Sequence, residues 1–403
     1  MTDADRAEDS ERRALGDEGM LDAAAWGLRS IGEWSLSGGW AAQIGRLPGA
    51  VLQYNFAVPY DLPAIGKPPD PPPLEKIAVE EHFNFLTAAA PTSSSANLDT
   101  LVRAMDYNAE WMNLVGERLV DFDTVRLAGM DASGIRISIL SHTVPAVQGI
   151  ADATTAMTAA RDVNDFLASV VAKRPARYAG FASVALQDPS SAAKELERAI
   201  TRLGLKGVMI NGYTNTRDPG RVEYLDDQKF LPFWEAAASL DVPVYLHPRP
   251  ALDQRIYEGH RELIGATWGF APEAATHALR LVYSGLFDRF PRLTLVLGHL
   301  GETIPHFAWR IQHCFEYNPS DKRVERRLQD YLCDNFYIST SGIFSDQALI
   351  NAVLTIGADR ILFAVDYPYE AMEPAAQWIE RAPISETDRK KIASGNAKRL
   401  FKL

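Results

Sequence analysis

The sequence predicts an α/β protein, a closed (β/α)8 TIM-like barrel that carries an N-terminal extension. Three observations predict it. Eight short apolar runs rich in β-branched residues recur from residue 76 onward. Longer spacers separate them, and most read as amphipathic helices. Ionisable or polar residues gather at the C-terminal ends of the runs, where barrel active sites form.

In chain order, the first 18 residues, MTDADRAEDSERRALGDE, are charged and poor in apolar groups, which predicts disorder or weak helix. Residues 20–60 carry Trp26, Trp34 and Trp40 among Leu, Ile and Ala, with Ser-Gly-Gly at 37–39 as a break. That pattern predicts short amphipathic helices. KPPDPPP at 67–73 predicts a stiff, extended linker. Residues 1–73 therefore read as an extension, and 74–403 as the barrel.

The predicted strands are KIAVE (76–80), IRISILS (135–141), YAGFASVAL (178–186) and GVMIN (207–211). They continue with VPVYLH (242–247), LTLVLGH (293–299), NFYIST (335–340) and ILFAVD (361–366). Between them, segments such as SAAKELERAITRLGL (191–205) place apolar residues at helical spacing and end near a Gly. Nearly continuous apolar strands alternating with helices indicate a parallel sheet covered on both faces. An open doubly wound sheet is the alternative, but no GxGxxG or Walker loop follows any run.

Composition narrows the function. The 403 residues are 47% hydrophobic, ample for one large core. A net charge of −11 argues against nucleic acid or an anionic membrane as the main partner. A metal ion or local Arg still admits an anionic small molecule. Cys314 and Cys333 alone make neither a disulfide framework nor a CxxC zinc site, so a cytoplasmic location is expected. No apolar stretch approaches the roughly 20 residues that span a bilayer.

The strand ends carry the chemistry. They present Glu80 and His82, Ser141-His142, Asn211, His247, His299, Thr340-Ser341 and Asp366. Glu80 and His82 are two apart and share one side of an extended segment, while Glu81 points toward the barrel wall or a helix. With His247 and Asp366 they make two carboxylates and two imidazoles, a mixed donor set that suits Zn, Mn, Fe or Co. His142 reads equally as a hydrogen-bonded core residue. His260, His277, His306 and His313 read as structural.

AVEEHF (78–83), YLHPR (245–249), LGHLGE (297–302) and ILFAVDYPYE (361–370) resemble the metal-dependent decarboxylase branch of the amidohydrolase superfamily. PAVQGI (145–150), RIYEGH (255–260) and SGLFDRFPRL (284–293) extend the resemblance, which runs from about residue 75 to the C-terminus. It is similar above all to the γ-resorcylate (2,6-dihydroxybenzoate) decarboxylases, with 2,3-dihydroxybenzoate and salicylate decarboxylases nearby. The resemblance implies a distorted barrel with one divalent metal, Mn2+ or Zn2+, on Glu80, His82, His247 and Asp366. It implies His299 as an active-site histidine partnered by Glu302, Arg310 lent across a subunit interface, and Tyr369 along the substrate ring. Asn211 and His142 are expected to read ring substituents, and Asp366 to be the acid.

The implied reaction is reversible, non-oxidative decarboxylation of a small ortho-hydroxybenzoate by a homodimer or homotetramer. The first 73 residues and His142 depart from the family pattern. The alternative reading is a hydrolase of an amide, ester or lactone with Asp366 as general base, against which stands Glu80 in place of the first His of an HxH pair. A non-catalytic scaffold with a dispensable metal is a third reading.

Overall fold

The computed structural model describes residues 73–85, 107–318 and 324–403, so the readings of 1–18, 20–60 and most of the 67–73 linker lie outside the described residues. The strands are β1 (Lys76–Phe83), β2 (Ile135–His142), β3 (Tyr178–Gly180) and β4 (Val208–Asn211). A small hairpin, β5 (Thr214–Asn215) and β6 (Val222–Glu223), follows. Then come β7 (Val244–His247), β8 (Leu295–Leu297), β9 (Phe336–Ser339) and β10 (Ile361–Leu362).

Parallel pairing runs in two arcs, β1-β2-β3 and β4-β7-β8-β9-β10. Two backbone seams join them. At one, Ala182 N–H donates to Gly207 O at 2.8 Å and Met209 N–H to Ala182 O at 3.0 Å. At the other, Val79 N–H donates to Phe363 O at 3.1 Å, Asp366 N–H to Glu80 O at 3.0 Å and His82 N–H to Tyr367 O at 2.7 Å. The ring thus closes on eight parallel strands, the predicted barrel; the open sheet is excluded.

Several predicted strands are shorter in the structure, and in 178–186 and 361–366 side-chain bonds replace the ladder. Asn164 Nδ2 donates to Ser183 O at 2.9 Å while its Oδ1 accepts Ser183 N–H at 2.8 Å. Thr340 Oγ1 makes the same exchange with Ala364. The alternating strand residues split between two cores. Ile77, Val79, Ile139, Phe181, Met209, Tyr245, Val296, Tyr337 and Leu362 fill the lumen, joined by Ala397 and Phe401 of the C-terminal helix Asn396–Phe401. Ala78, Leu140, Val208, Ile210, Leu246, Leu297 and Ile338 face the helices. Those helices start where the sequence says they should: Asp152 Oδ1 accepts Thr155 N–H ahead of Ala153–Lys173, and Asp188 caps Pro189–Thr201 with Pro in the first turn. Among the described residues no helix is long and apolar enough to cross a membrane.

One irregularity positions the site. On β1, Ala78 pairs with Ser138 and Glu81 with Leu140, so three residues stand against two. This β-bulge inverts the alternation: Ile77 and Val79 face the lumen before it, whereas Phe83 faces the helices after it. Without the bulge, an inward Val79 would put Glu80 and His82 on the helix side.

His277, on helix Phe270–Tyr283, is buried and its Nε2 accepts Leu225 N–H at 3.0 Å. Burial pulls its pKa down to about 3. In the unfolded chain the imidazole titrates near 6.5, so between these values the unfolded state binds more protons and stability falls as pH drops. Urea unfolding at pH 7.5 and 5.0 should show a loss about 2 kcal/mol smaller in His277→Gln than in the parent. Equal losses would remove His277 as the source.

Candidate metal centre

Four side chains converge at the C-terminal end of the barrel: Glu80 and His82 from β1, His247 from the last position of β7, and Asp366 beyond β10. One donor atom of each lies within 4.8 Å of the others. His82 Nε2 stands 3.1 Å from Asp366 Oδ1, and His247 Nε2 stands 3.6 Å from Glu80 Oε1. Glu80 Oε1, His82 Nε2 and Asp366 Oδ1 are buried without a hydrogen-bond partner. Buried polar atoms are costly unless satisfied, and two carboxylates beside two imidazole nitrogens fit one divalent cation. These four residues form a possible site for such an ion.

The surroundings hold the donors in place. Glu80 Oε2 accepts from Tyr245 Oη and, at 3.0 Å, from Ser339 Oγ, leaving Oε1 for the cluster. A Cβ at position 298 would lie 3.0 Å from Glu80 Oε2, which is why Gly298 stands there. His82 Nδ1 meets Ser141 Oγ at 3.2 Å; donating that proton leaves Nε2 free to ligate. Below the site, the buried Arg126 donates to His82 O at 2.6 Å, and Glu81 Oε1 accepts Val365 N–H at 3.0 Å next to Asp366. Glu81 does point away from the cluster. Asp366 has a left-handed backbone, φ 80°, and so do His299, Leu300, Glu302 and Thr303 after β8. Such strain in residues other than Gly clusters where function demands it.

Electrostatics follow from burial and neighbours. Burial raises the Glu80 carboxyl above its ordinary value, against the pull of His299. Burial also favours neutral Asp366, but His299 and His82 hold its carboxyl below the usual range. Burial drives His247 well below 6.5 and His82 adds to it, so His247 is neutral, as a ligand must be. For His299 burial is outweighed by Glu302 and Glu80, which push its pKa well above the ordinary value.

A cavity of ≈ 370 Å³ opens over the cluster. Tyr107, Trp111, Met112, Val144, Phe270 and Tyr369 line it together with His247, His299 and Asp366. Such an apolar, aromatic wall with a few convergent polar groups is a small-molecule site.

The other expected residues fall in different places. His299 Nε2 lies 3.6 Å from Asp366 Oδ2, and its Nδ1 meets Glu302 Oε1 at 2.6 Å. Tyr369 lines the cavity. Asn211 and His142 are buried but are not among its lining: Asn211 Nδ2 donates to His142 O at 3.2 Å, and His142 Nε2 faces Asn84 Oδ1 at 3.4 Å. Arg310 is exposed on helix Ile304–Glu316 and does not line the cavity. Sequence reasoning missed Tyr245 and Ser339 as supports of Glu80, and Arg126 behind His82. Tyr245 carried a signal, being two residues before His247 and so on the same face of its strand. Tyr107 and Trp111 carried none.

A family model described as amidohydrolase matches residues 109–403. The chain belongs to the amidohydrolase family. Within it, the chain stands in the decarboxylase branch. It is 47% identical over 334 residues to the γ-resorcylate decarboxylase of a Polaromonas species, covering 81% of this chain and 98% of that one. It superposes on 2,6-dihydroxybenzoate decarboxylase in complex with 2,6-dihydroxybenzoate with a TM-score of 0.76 at 45% identity, over 82% of this chain and 100% of the other. The dihydroxybenzoic acid decarboxylase of Polaromonas, with bound manganese and the inhibitor 2-nitroresorcinol, also gives 0.76, at 46% identity over 82% and 97%.

Substituting His82→Ala should leave the protein folded but lower its metal content after dialysis well below one ion per chain, read by elemental analysis. Unchanged stoichiometry would take His82 off the ligand set.

Proposed function

We propose that the chain is a metal-dependent, non-oxidative decarboxylase of an ortho-hydroxybenzoate of the 2,6-dihydroxybenzoate type, reversible as a phenol carboxylase. One observation carries this: a Glu-His-His-Asp cluster facing an aromatic-lined cavity, in a chain closely related to γ-resorcylate decarboxylases. Glu80, His82, His247 and Asp366 would hold one divalent cation, manganese as in the Polaromonas structure, with zinc as the alternative. When bound, that ion supplies Lewis-acid charge to anchor the substrate carboxylate and its neighbouring phenol oxygen and to stabilise negative charge on the ring.

The protein's own groups do the rest. The aromatic walls hold the ring against Asp366 and exclude water. Asp366 delivers a proton to the ring carbon that bears the carboxylate. The carbon–carbon bond then breaks, its electrons return to the ring, and CO2 leaves as aromaticity is restored. Against burial, His299 and His82 hold the Asp366 carboxyl below its usual range, so it draws the proton from a neighbour. The proton waits on His299, whose Nε2 lies 3.6 Å from Asp366 Oδ2 and whose cation Glu302 sustains. An anionic substrate raises the proton affinity of Asp366 at the moment of transfer. In the carboxylating direction the same route runs backward. The hydrolase reading, with Asp366 activating water, finds no support among these decarboxylating relatives.

Arg310 acts, in this reading, on the site of a neighbouring copy. It lies on the surface beside Trp309, 72% exposed, and Phe307, 49% exposed, as a homodimer or homotetramer interface would require.

With Mn2+ added, the protein should consume 2,6-dihydroxybenzoate, followed by ultraviolet absorbance, and form the matching phenol; chelation should stop it. No metal-dependent loss of 2,6-dihydroxybenzoate, 2,3-dihydroxybenzoate or salicylate would contradict the proposal. Asp366→Asn should lower kcat by about 10²–10⁴-fold with the circular dichroism spectrum retained. Full activity in that variant would refute the proton route.

A further inference from the structure

Thr143 and Tyr369 follow β2 and β10, the two strands that flank β1, and they meet beside the cavity that Tyr369 lines. Thr143 follows β2 and is buried; Tyr369 lies three residues beyond Asp366, its N–H donating to Asp366 O at 2.8 Å. Their hydroxyls are 2.6 Å apart, with either able to donate. The Tyr369 ring is pinned edge-on to His82, with centroids 5.7 Å apart, and tilted against Trp111 at 6.1 Å. It therefore keeps its place in the wall.

The hydrogen-bond inventory does not close. Each hydroxyl carries one O–H donor, and one bond between them uses one. Among the described residues neither hydroxyl has another partner, so one O–H is left without an acceptor; when Thr143 donates, that O–H is the one on Tyr369, which lines the cavity. Leaving a buried donor unmade is unfavourable, and a ligand oxygen would satisfy it.

We infer that the Thr143–Tyr369 pair reads a ring oxygen of the substrate, donating its spare hydrogen bond to the hydroxyl that the metal does not engage. The inference rests on the decarboxylase reading. If the carboxylate and one ortho oxygen go to the metal, 2,6-dihydroxybenzoate has a second ortho oxygen to offer and salicylate has none. The pair is then a specificity determinant for dihydroxy over monohydroxy acids. A site built to bond a substrate hydroxyl discriminates against the analogue that lacks it, because the site's polar group is then stranded.

The test compares kcat/KM for 2,6-dihydroxybenzoate and for salicylate in the Mn2+-loaded protein, Tyr369→Phe and Thr143→Val. The ratio of the two should fall about tenfold in Tyr369→Phe, the worth of one hydrogen bond. It should fall in the same direction in Thr143→Val and recover in Thr143→Ser. An unchanged ratio in Tyr369→Phe, with both substrates falling together, would reduce Tyr369 to a ring contact and overturn the inference. Calorimetric titration with 2-nitroresorcinol and 2-nitrophenol gives a reading independent of turnover. If the parent decarboxylates nothing, the function proposed above fails; the pair is still upheld if the affinity difference between the two nitrophenols shrinks in Tyr369→Phe, and overturned if that difference is unchanged.

Discussion

Glu80 and Asp366 are two carboxylates brought into one cluster at the C-terminal end of the barrel, with Glu80 wholly buried. A low-dielectric site does not readily hold two negative charges, and His299, the imidazole pushed toward its cation, is already paired with Glu302. His247 is driven neutral by burial, so it offers a lone pair rather than a charge. The demand for a cation therefore organises everything around it: the hydroxyls of Tyr245 and Ser339 that hold one Glu80 oxygen aside, Ser141 on the far nitrogen of His82, and the missing side chain at Gly298.

Delivering those donors costs the backbone its regularity. The bulge in β1 turns Glu80 and His82 into the lumen and Glu81 out of it. Glu81 then ties down Val365, the residue before Asp366, and Arg126 ties down the His82 carbonyl. Asp366 and the turn carrying His299 and Glu302 occupy left-handed conformations that only a well-packed frame sustains. The result is a row of ionisable groups, Glu302, His299 and Asp366, the last two of which line the aromatic-walled cavity.

Much of this was legible in the residues. The eight apolar runs correspond to the eight barrel strands, and the four candidate ligands from three strand ends meet in space as their positions in a barrel require. Periodicity alone placed Glu80 and His82 on one side but not on the inner side, because one extra residue in β1 reverses the parity and leaves no mark on composition. The strands beginning at 178 and 361 were read too long because Asn164 and Thr340 replace ladder bonds with side-chain bonds that pattern does not reveal. Tyr107 and Trp111 reach the cavity from a segment outside the strands, where no strand-end rule applies. Arg310 was legible as a motif residue, yet motif says nothing of exposure, and in the structure it faces outward.

The central claim is that Glu80, His82, His247 and Asp366 share one divalent ion. Anomalous diffraction from crystals grown with Mn2+ tests it most directly. The account predicts a single strong peak within coordination distance, about 2.0–2.3 Å, of all four side chains. A peak elsewhere, or none at this cluster with the four residues in place, would contradict it.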